Sequence, residues 1–139
     1  MVIRLVLAAL VTASAAAPAR AEARGGLYEV TARVELPNVA PVAEPIRATL
    51  CLTAEALRTA AAFRVLSRNP LAACARSDVT VSGAAATFRI ACPGPNAPWA
   101  LARFEVTGRG FKGAFHMNMG GKNMTLTERQ SARRIGDCP

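Results

Sequence analysis

Between Trp99 and Arg129 the chain repeats one pattern three times, and that pattern leaves little freedom in the choice of fold. The runs Trp99 to Val106, Phe111 to Met119 and Lys122 to Arg129 alternate apolar with polar residues, and Gly108-Arg109-Gly110 and Gly120-Gly121 separate them. Alternation with period two sends successive side chains to opposite faces of a strand, and glycine supplies the positive φ that tight hairpins require. Three strands joined in this way form an antiparallel meander. Two-residue loops at Gly108-Arg109 and Gly120-Gly121 would set Val106 opposite Phe111, Ala102 opposite Phe115, and Met117 opposite Met124. One face then collects Phe104, Val106, Phe111, Phe115, Met117, Met119, Met124 and Leu126, while Lys112, His116, Asn118, Thr125 and Thr127 point the other way.

The rest of the chain extends this theme. Leu27 to Leu36 alternates, with Tyr28, Val30 and Ala32 on one side, and Ile46 to Leu52 gives a second strand after the loop Pro37 to Pro45, whose prolines exclude a central strand. Thr53 is a good N-cap for Ala54 to Phe63, where Leu57, Ala60 and Ala61 fall at helical spacing, so one short helix is expected there. Asn69-Pro70 closes that region. Arg76 to Val81 and Ala86 to Cys92 flank a turn at Ser82-Gly83-Ala84-Ala85, a hairpin that would set Val81 opposite Ala86 and Val79 opposite Phe88. That register places Cys92 opposite Ala75, one residue from Cys74, so joining the two cysteines requires a bulge or splayed strand ends. The predicted fold is mainly β: an antiparallel meander of about seven strands curling into a small barrel or sandwich, with one short α-helix.

The N-terminus predicts export. Met1 to Arg4 carries one positive charge, Leu5 to Val11 is apolar, and Thr12 to Ala17 is a run of small residues, the order of a secretory signal peptide. Ala19-Arg20-Ala21 favours cleavage after Ala21. The apolar run falls short of the ~20 residues of a membrane span, so no transmembrane segment is expected after cleavage. Residues 1–21 are thus expected to be a signal peptide and residues 22–139 a single domain with one modest core. All four cysteines, Cys51, Cys74, Cys92 and Cys138, lie in that domain and none forms a Cys-x-x-Cys pair. Disulfides in an oxidising compartment follow, which places the protein in the bacterial periplasm or outside the cell. Cys74 and Cys92 flank the hairpin and form the natural pair, leaving Cys51 for Cys138, although four cysteines allow three connectivities and the sequence leaves them open.

Catalysis finds little support. The chain has one histidine, His116; its acids, among them Glu29, Glu35, Glu105 and Glu128, sit on separate elements and read as solvated strand faces or caps. No Gly-x-Ser-x-Gly turn and no glycine-rich phosphate loop is present. The protein is expected not to be an enzyme and to need no cofactor. A formal charge of +8 could draw anionic partners, but the arginines are scattered apart from Arg129, Arg133 and Arg134, and export argues against nucleic acid. His116 with Met117, Met119 and Met124 suggests copper, yet neighbours on a strand project from opposite faces and core packing explains the methionines more simply, so no metal is assigned.

The leading expectation is a non-catalytic exported β domain whose apolar face, carrying Phe104, Phe115, Met117, Met119 and Met124, holds a small apolar or lipid-like ligand. The same face would also suit the filled core of a small barrel. The alternatives are an envelope interaction module that binds a protein or an anionic polymer through Arg129, Arg133 and Arg134, and copper handling through His116 and the methionines.

Several of these residues together resemble a known family. Gly26-Leu27-Tyr28-Glu29 after a signal peptide, Cys51-Leu52-Thr53 before a short helix, Cys74 and Cys92 around a hairpin, and Arg134-Ile135-Gly136-Asp137-Cys138 at the end are similar to the bacterial family called Domain of Unknown Function 3617. The family commonly has tryptophan at the place of Tyr28 and a glycine-rich stretch where this chain has Pro93 to Pro98. The resemblance implies envelope localisation and a β domain with paired cysteines. It implies no activity and no site residue.

Overall fold

A computed structural model describes residues 22–40, 43–122 and 124–139. The expected signal peptide and its cleavage site lie outside them. Seven antiparallel strands form a single sheet: β1 (Gly26–Glu35), β2 (Ile46–Leu52), β3 (Ala75–Ser82), β4 (Ala85–Ala91), β5 (Trp99–Val106), β6 (Gly110–Asn118) and β7 (Thr125–Gly136). Their order across the sheet is β2-β1-β7-β6-β5-β4-β3. The sheet is open, with β2 and β3 as its edges, so it curls without closing into a barrel.

That order has a consequence for the segment between β2 and β3. The two strands stand at opposite edges, six strand spacings or ~29 Å apart across a flat sheet, and the connecting chain must cross one whole face to join them. Residues 53–74 form this strap. It buries Leu57, Ala60, Ala62, Phe63, Val65 and Leu71 against the sheet side chains Tyr28, Val30, Phe88, Ile90, Phe104 and Phe115. The ring of Phe63 stacks on that of Phe104, with centroids 4.4 Å apart and planes at 4°. Gly113 makes room for the stack, because a Cβ there would lie 2.3 Å from Phe104 Cδ1.

The strap is less helical than its alanines suggest. Thr53 caps as expected, accepting the Ala56 amide at 3.0 Å, but the helix α1 covers only Ala54–Arg58. At Thr59 the side-chain hydroxyl and the amide both donate to the Glu55 carbonyl, and Ala60 takes φ of 63°. This left-handed residue turns the chain, so that Ala62 and Phe63 are buried while Ala61 faces solvent. A helix continued to Phe63 would have laid Ala61 on the sheet instead. Asn69 then caps a single 3-10 turn, Pro70–Ala73.

Two expected registers are corrected. In the β3–β4 hairpin Val81 does face Ala86, but a bulge between Ser77 and Thr80, with Asp78 at φ 53°, removes the pairing of Val79 with Phe88. The bulge brings Ala75 opposite Ala91 and therefore Cys74 beside Cys92, the adjustment their union requires. Between β6 and β7 the loop is longer than Gly120-Gly121: Met119 donates its amide to the Met124 carbonyl, and Met117 pairs with Leu126, not with Met124. The shift is two residues, so every side chain keeps its face. β7 also starts later than expected and runs on to Gly136.

The cysteines stand in two pairs at disulfide distance. Cys51 and Cys138 have Sγ atoms 2.00 Å apart, and Cys74 and Cys92 have theirs 2.05 Å apart. Because β1 lies between β2 and β7, the first pair ties the C-terminal tail across the end of β1 to the edge strand.

Candidate functional site

The expected ligand-binding residues do not share one open surface. Phe104, Phe115 and Met117 come together, at 1%, 0% and 2% exposure, beneath the strap. Met119 packs at the margin of that core, whereas Met124 is 59% exposed in the β6–β7 loop and takes no part in it. Phe104 and Phe115 are in edge-to-face contact, 5.0 Å between centroids, and Phe63 fills the space above them. This face of the sheet is a packed core.

At the centre of the covered face lies a polar cluster that reading the acids as solvated misses. Glu128 is fully buried, and its Oε1 accepts the Leu66 amide at 2.9 Å and the Gln130 side-chain amide at 2.6 Å. Its Oε2 accepts the Ser67 amide at 3.0 Å and the Ser67 hydroxyl. Gln130 also donates to the Arg64 carbonyl at 2.8 Å. The signal was available in the alternation itself: Leu126, Glu128, Gln130 and Ala132 share one face of β7, so an inward Leu126 carries Glu128 inward too. Among the described residues no buried side-chain nitrogen or oxygen lacks a hydrogen-bond partner, and the cluster acts as a clasp that fixes the strap to the sheet. A second clasp comes from the edge strand: the Arg76 guanidinium donates to the carbonyls of Ala60, at 2.7 Å, and Phe63, and lies 4.6 Å above the Phe88 ring. Burial pushes its pKa down from the usual arginine value.

The opposite face carries no covering element among the described residues. Along one row that crosses the strands, Thr87, Arg103, Ala114, Arg129 and Arg33 are successive partners in β4, β5, β6, β7 and β1. Strand spacing puts the backbones of Arg129 and Arg33 ~5 Å apart and those of Arg129 and Arg103 ~10 Å apart, with only the methyl group of Ala114 between the latter two. The result is an open groove of about 600 Å³ walled by Arg33, Arg103, Lys112 and Arg129 and edged by Thr31 and Ser131. A second hollow of about 370 Å³ is lined by Glu35, Leu36, Pro37, Trp99, Leu101 and Thr127, and His116 lines both.

Ion pairs use some of these charges. Arg129 meets Glu35 at 2.8 Å, Arg133 meets Glu29 at 3.2 Å and Lys112 meets Glu105 at 3.7 Å, all with well-exposed side chains. Arg33, Arg89 and Arg103 make no ion pair among the described residues, although Asp78 lines a further hollow with Arg89 and Arg103, and Arg89 lies 5.0 Å above the Trp99 ring. The trio Arg129, Arg133 and Arg134, expected to act as one patch, is divided by the pleat. Arg134 projects from the covered face, where it donates to the Gly25 carbonyl at 2.9 Å and pairs with Asp137. The cationic patch that does form uses Arg33 and Arg103, which only the strand order brings beside Arg129.

His116 and Met117 project from opposite faces, as period two requires. The His116 Nδ1 is 3.2 Å from the Thr127 hydroxyl on the bare face, and Met117 is buried on the other. Among the described residues no group of three or more His, Cys, Asp or Glu side chains is arranged to hold a metal ion, and no helix is long and apolar enough to cross a membrane.

Residues 22–138 match the model of a family described as Protein of unknown function (DUF3617). The chain belongs to this family. The match covers all seven strands, the strap and both cysteine pairs, so the sheet with one clasped face is the architecture of the matched region. Searches of curated proteins and of solved structures give no match.

Proposed function

We propose that this protein is a non-catalytic binding domain of the bacterial periplasm or exterior, and that it holds an anionic envelope component on the bare face of its sheet. The observation that carries the reading is the row Arg33, Arg129 and Arg103 around Ala114, an open cationic groove in the middle of an uncovered sheet. A guanidinium offers paired N–H donors that match carboxylate and phosphate oxygens, and two of the three in this row have no acid of their own. Export is supported by the charged, apolar and small-residue order of the N-terminus and by two cysteine pairs at disulfide distance. Phe104, Phe115 and Met117, on which a lipid-like ligand was expected, are buried under the strap, which favours the other face in this reading.

The test uses the chain from Glu22 to Pro139 with both cysteine pairs oxidised. Dextran sulfate should bind it at low ionic strength and lose affinity steeply as salt rises, and neutral dextran should not bind. The double variant Arg33→Glu, Arg103→Glu should lose the interaction and keep the fold. Binding that the double variant retains, or no binding of dextran sulfate at low salt, would overturn the proposal.

A further inference from the structure

The bare face is divided: its cationic groove and its second hollow differ in chemistry, and His116 lines both. Arg33, Arg103, Lys112 and Arg129 outnumber Glu105 around the first, whereas Leu36, Pro37, Trp99 and Leu101 make the second mainly apolar, with Glu35 and Thr127 at its margin. Leu101 and Leu36 are 49% and 47% exposed and line the same hollow. They have no covering element among the described residues, and their position next to the arginine row is set by register, since Leu101 and Arg103 are alternate residues of β5 and Glu35 follows Arg33 by two in β1. A purely ionic ligand would use the first hollow and leave the second wet.

We infer that the ligand is an anionic amphiphile, a single molecule with a phosphate or carboxylate headgroup and an apolar tail. The headgroup lies over Ala114 among Arg33, Arg103 and Arg129, and the tail runs past His116 onto Leu101, Trp99 and Leu36. This deepens the proposed function and rests on it. Charge complementarity selects the headgroup, and release of water from Leu36, Leu101 and the Trp99 ring favours the tail. The headgroup alone gains the first contribution and not the second, and a zwitterionic amphiphile gains the second while bringing a cation to the arginines.

Trp99 is the only tryptophan of the chain and lines the apolar hollow, so its fluorescence reports occupancy of that end directly. Monomeric palmitoyl lysophosphatidylglycerol, titrated below its micelle concentration, should shift the Trp99 emission to the blue and saturate. Glycerol 3-phosphate should leave the emission in place and bind more weakly, and lysophosphatidylcholine should also bind more weakly, each by roughly tenfold or more. Leu101→Asn should weaken the amphiphile by a similar factor without changing the binding of dextran sulfate, and because Leu101 is half exposed the variant should fold. If glycerol 3-phosphate binds as tightly as the amphiphile, or Leu101→Asn leaves the affinity for the amphiphile unchanged, the amphiphile is the wrong ligand although the anionic groove stands. If neither dextran sulfate nor the amphiphile binds, both proposals fall.

Discussion

The two faces of the sheet are built from the same strands and differ in almost everything else. On one, alternate residues of β1 and β4 to β7 pack under a strap that the strand order forces across the whole sheet, and among the described residues every buried side-chain nitrogen and oxygen has a partner. On the other, the intervening residues of the same strands are mostly arginines, glutamates and threonines, with Lys112, His116, Trp99 and Leu101, and no strap covers them. The contrast shows how a small domain can keep stability and binding apart. A substitution on the covered face should change unfolding and leave binding to the folded chain intact, and one on the bare face should do the reverse.

The largest expected effect is at the buried carboxylate. Glu128→Leu would leave the amides of Leu66 and Ser67 and one of the two Gln130 side-chain N–H groups without an acceptor, and at ~1 to 3 kcal/mol for each orphaned donor the loss should be about 5 kcal/mol in urea unfolding. A loss below about 1 kcal/mol would mean that the clasp does not hold the strap. Next comes Phe63→Ala, which removes the ring stacked on Phe104 and should cost about 4 kcal/mol. Replacing Cys74 and Cys92 together by alanine frees a loop of sequence separation 18 and should cost about 3 kcal/mol by chain entropy. Mass spectrometry of the unreduced chain checks first that this pair is closed.

Smaller effects sharpen the contrast from the other side. Arg33→Glu with Arg103→Glu should change stability by less than about 0.5 kcal/mol, since both side chains are exposed and neither is paired, while removing polyanion binding. A pH effect distinguishes the faces as well. Burial raises the pKa of Tyr28 on the covered face, because the tyrosinate would be poorly solvated there. Its contribution to stability should therefore be complete below the ordinary tyrosine pKa of ~10 and be lost as pH rises through the higher folded value. Tyr28→Phe should flatten the alkaline limb of the stability profile.

Much of this fold was legible along the chain, because local pattern and turn chemistry agree. The meander of β5, β6 and β7, the faces of Tyr28, Val30 and Ala32, and the Thr53 cap all follow from residues close in sequence. The early end of the helix was not legible, since Ala60 takes a left-handed conformation to suit packing that the local sequence does not reveal. Strand order was hidden for a related reason: nothing near β1 shows that it pairs with residues 127–136 at the far end of the chain, and without that pairing Arg33 and Arg129 belong to no common surface. Glu128 is the opposite case. Its parity with Leu126 places it inside, and only the general habit of carboxylates to face water argued otherwise.

The separation of the faces is tested most directly by mapping arginine reactivity. The folded chain would be labelled with phenylglyoxal, alone and with saturating dextran sulfate, and each arginine quantified by peptide mass spectrometry. Protection confined to Arg33, Arg103 and their neighbours on the bare face, with Arg58 and Arg64 of the strap labelled equally in both samples, is the expected result. Protection of Arg58 and Arg64 to the same degree as Arg33 and Arg103 would contradict it, because the polyanion would then be reading the net charge of the protein and not one face of its sheet.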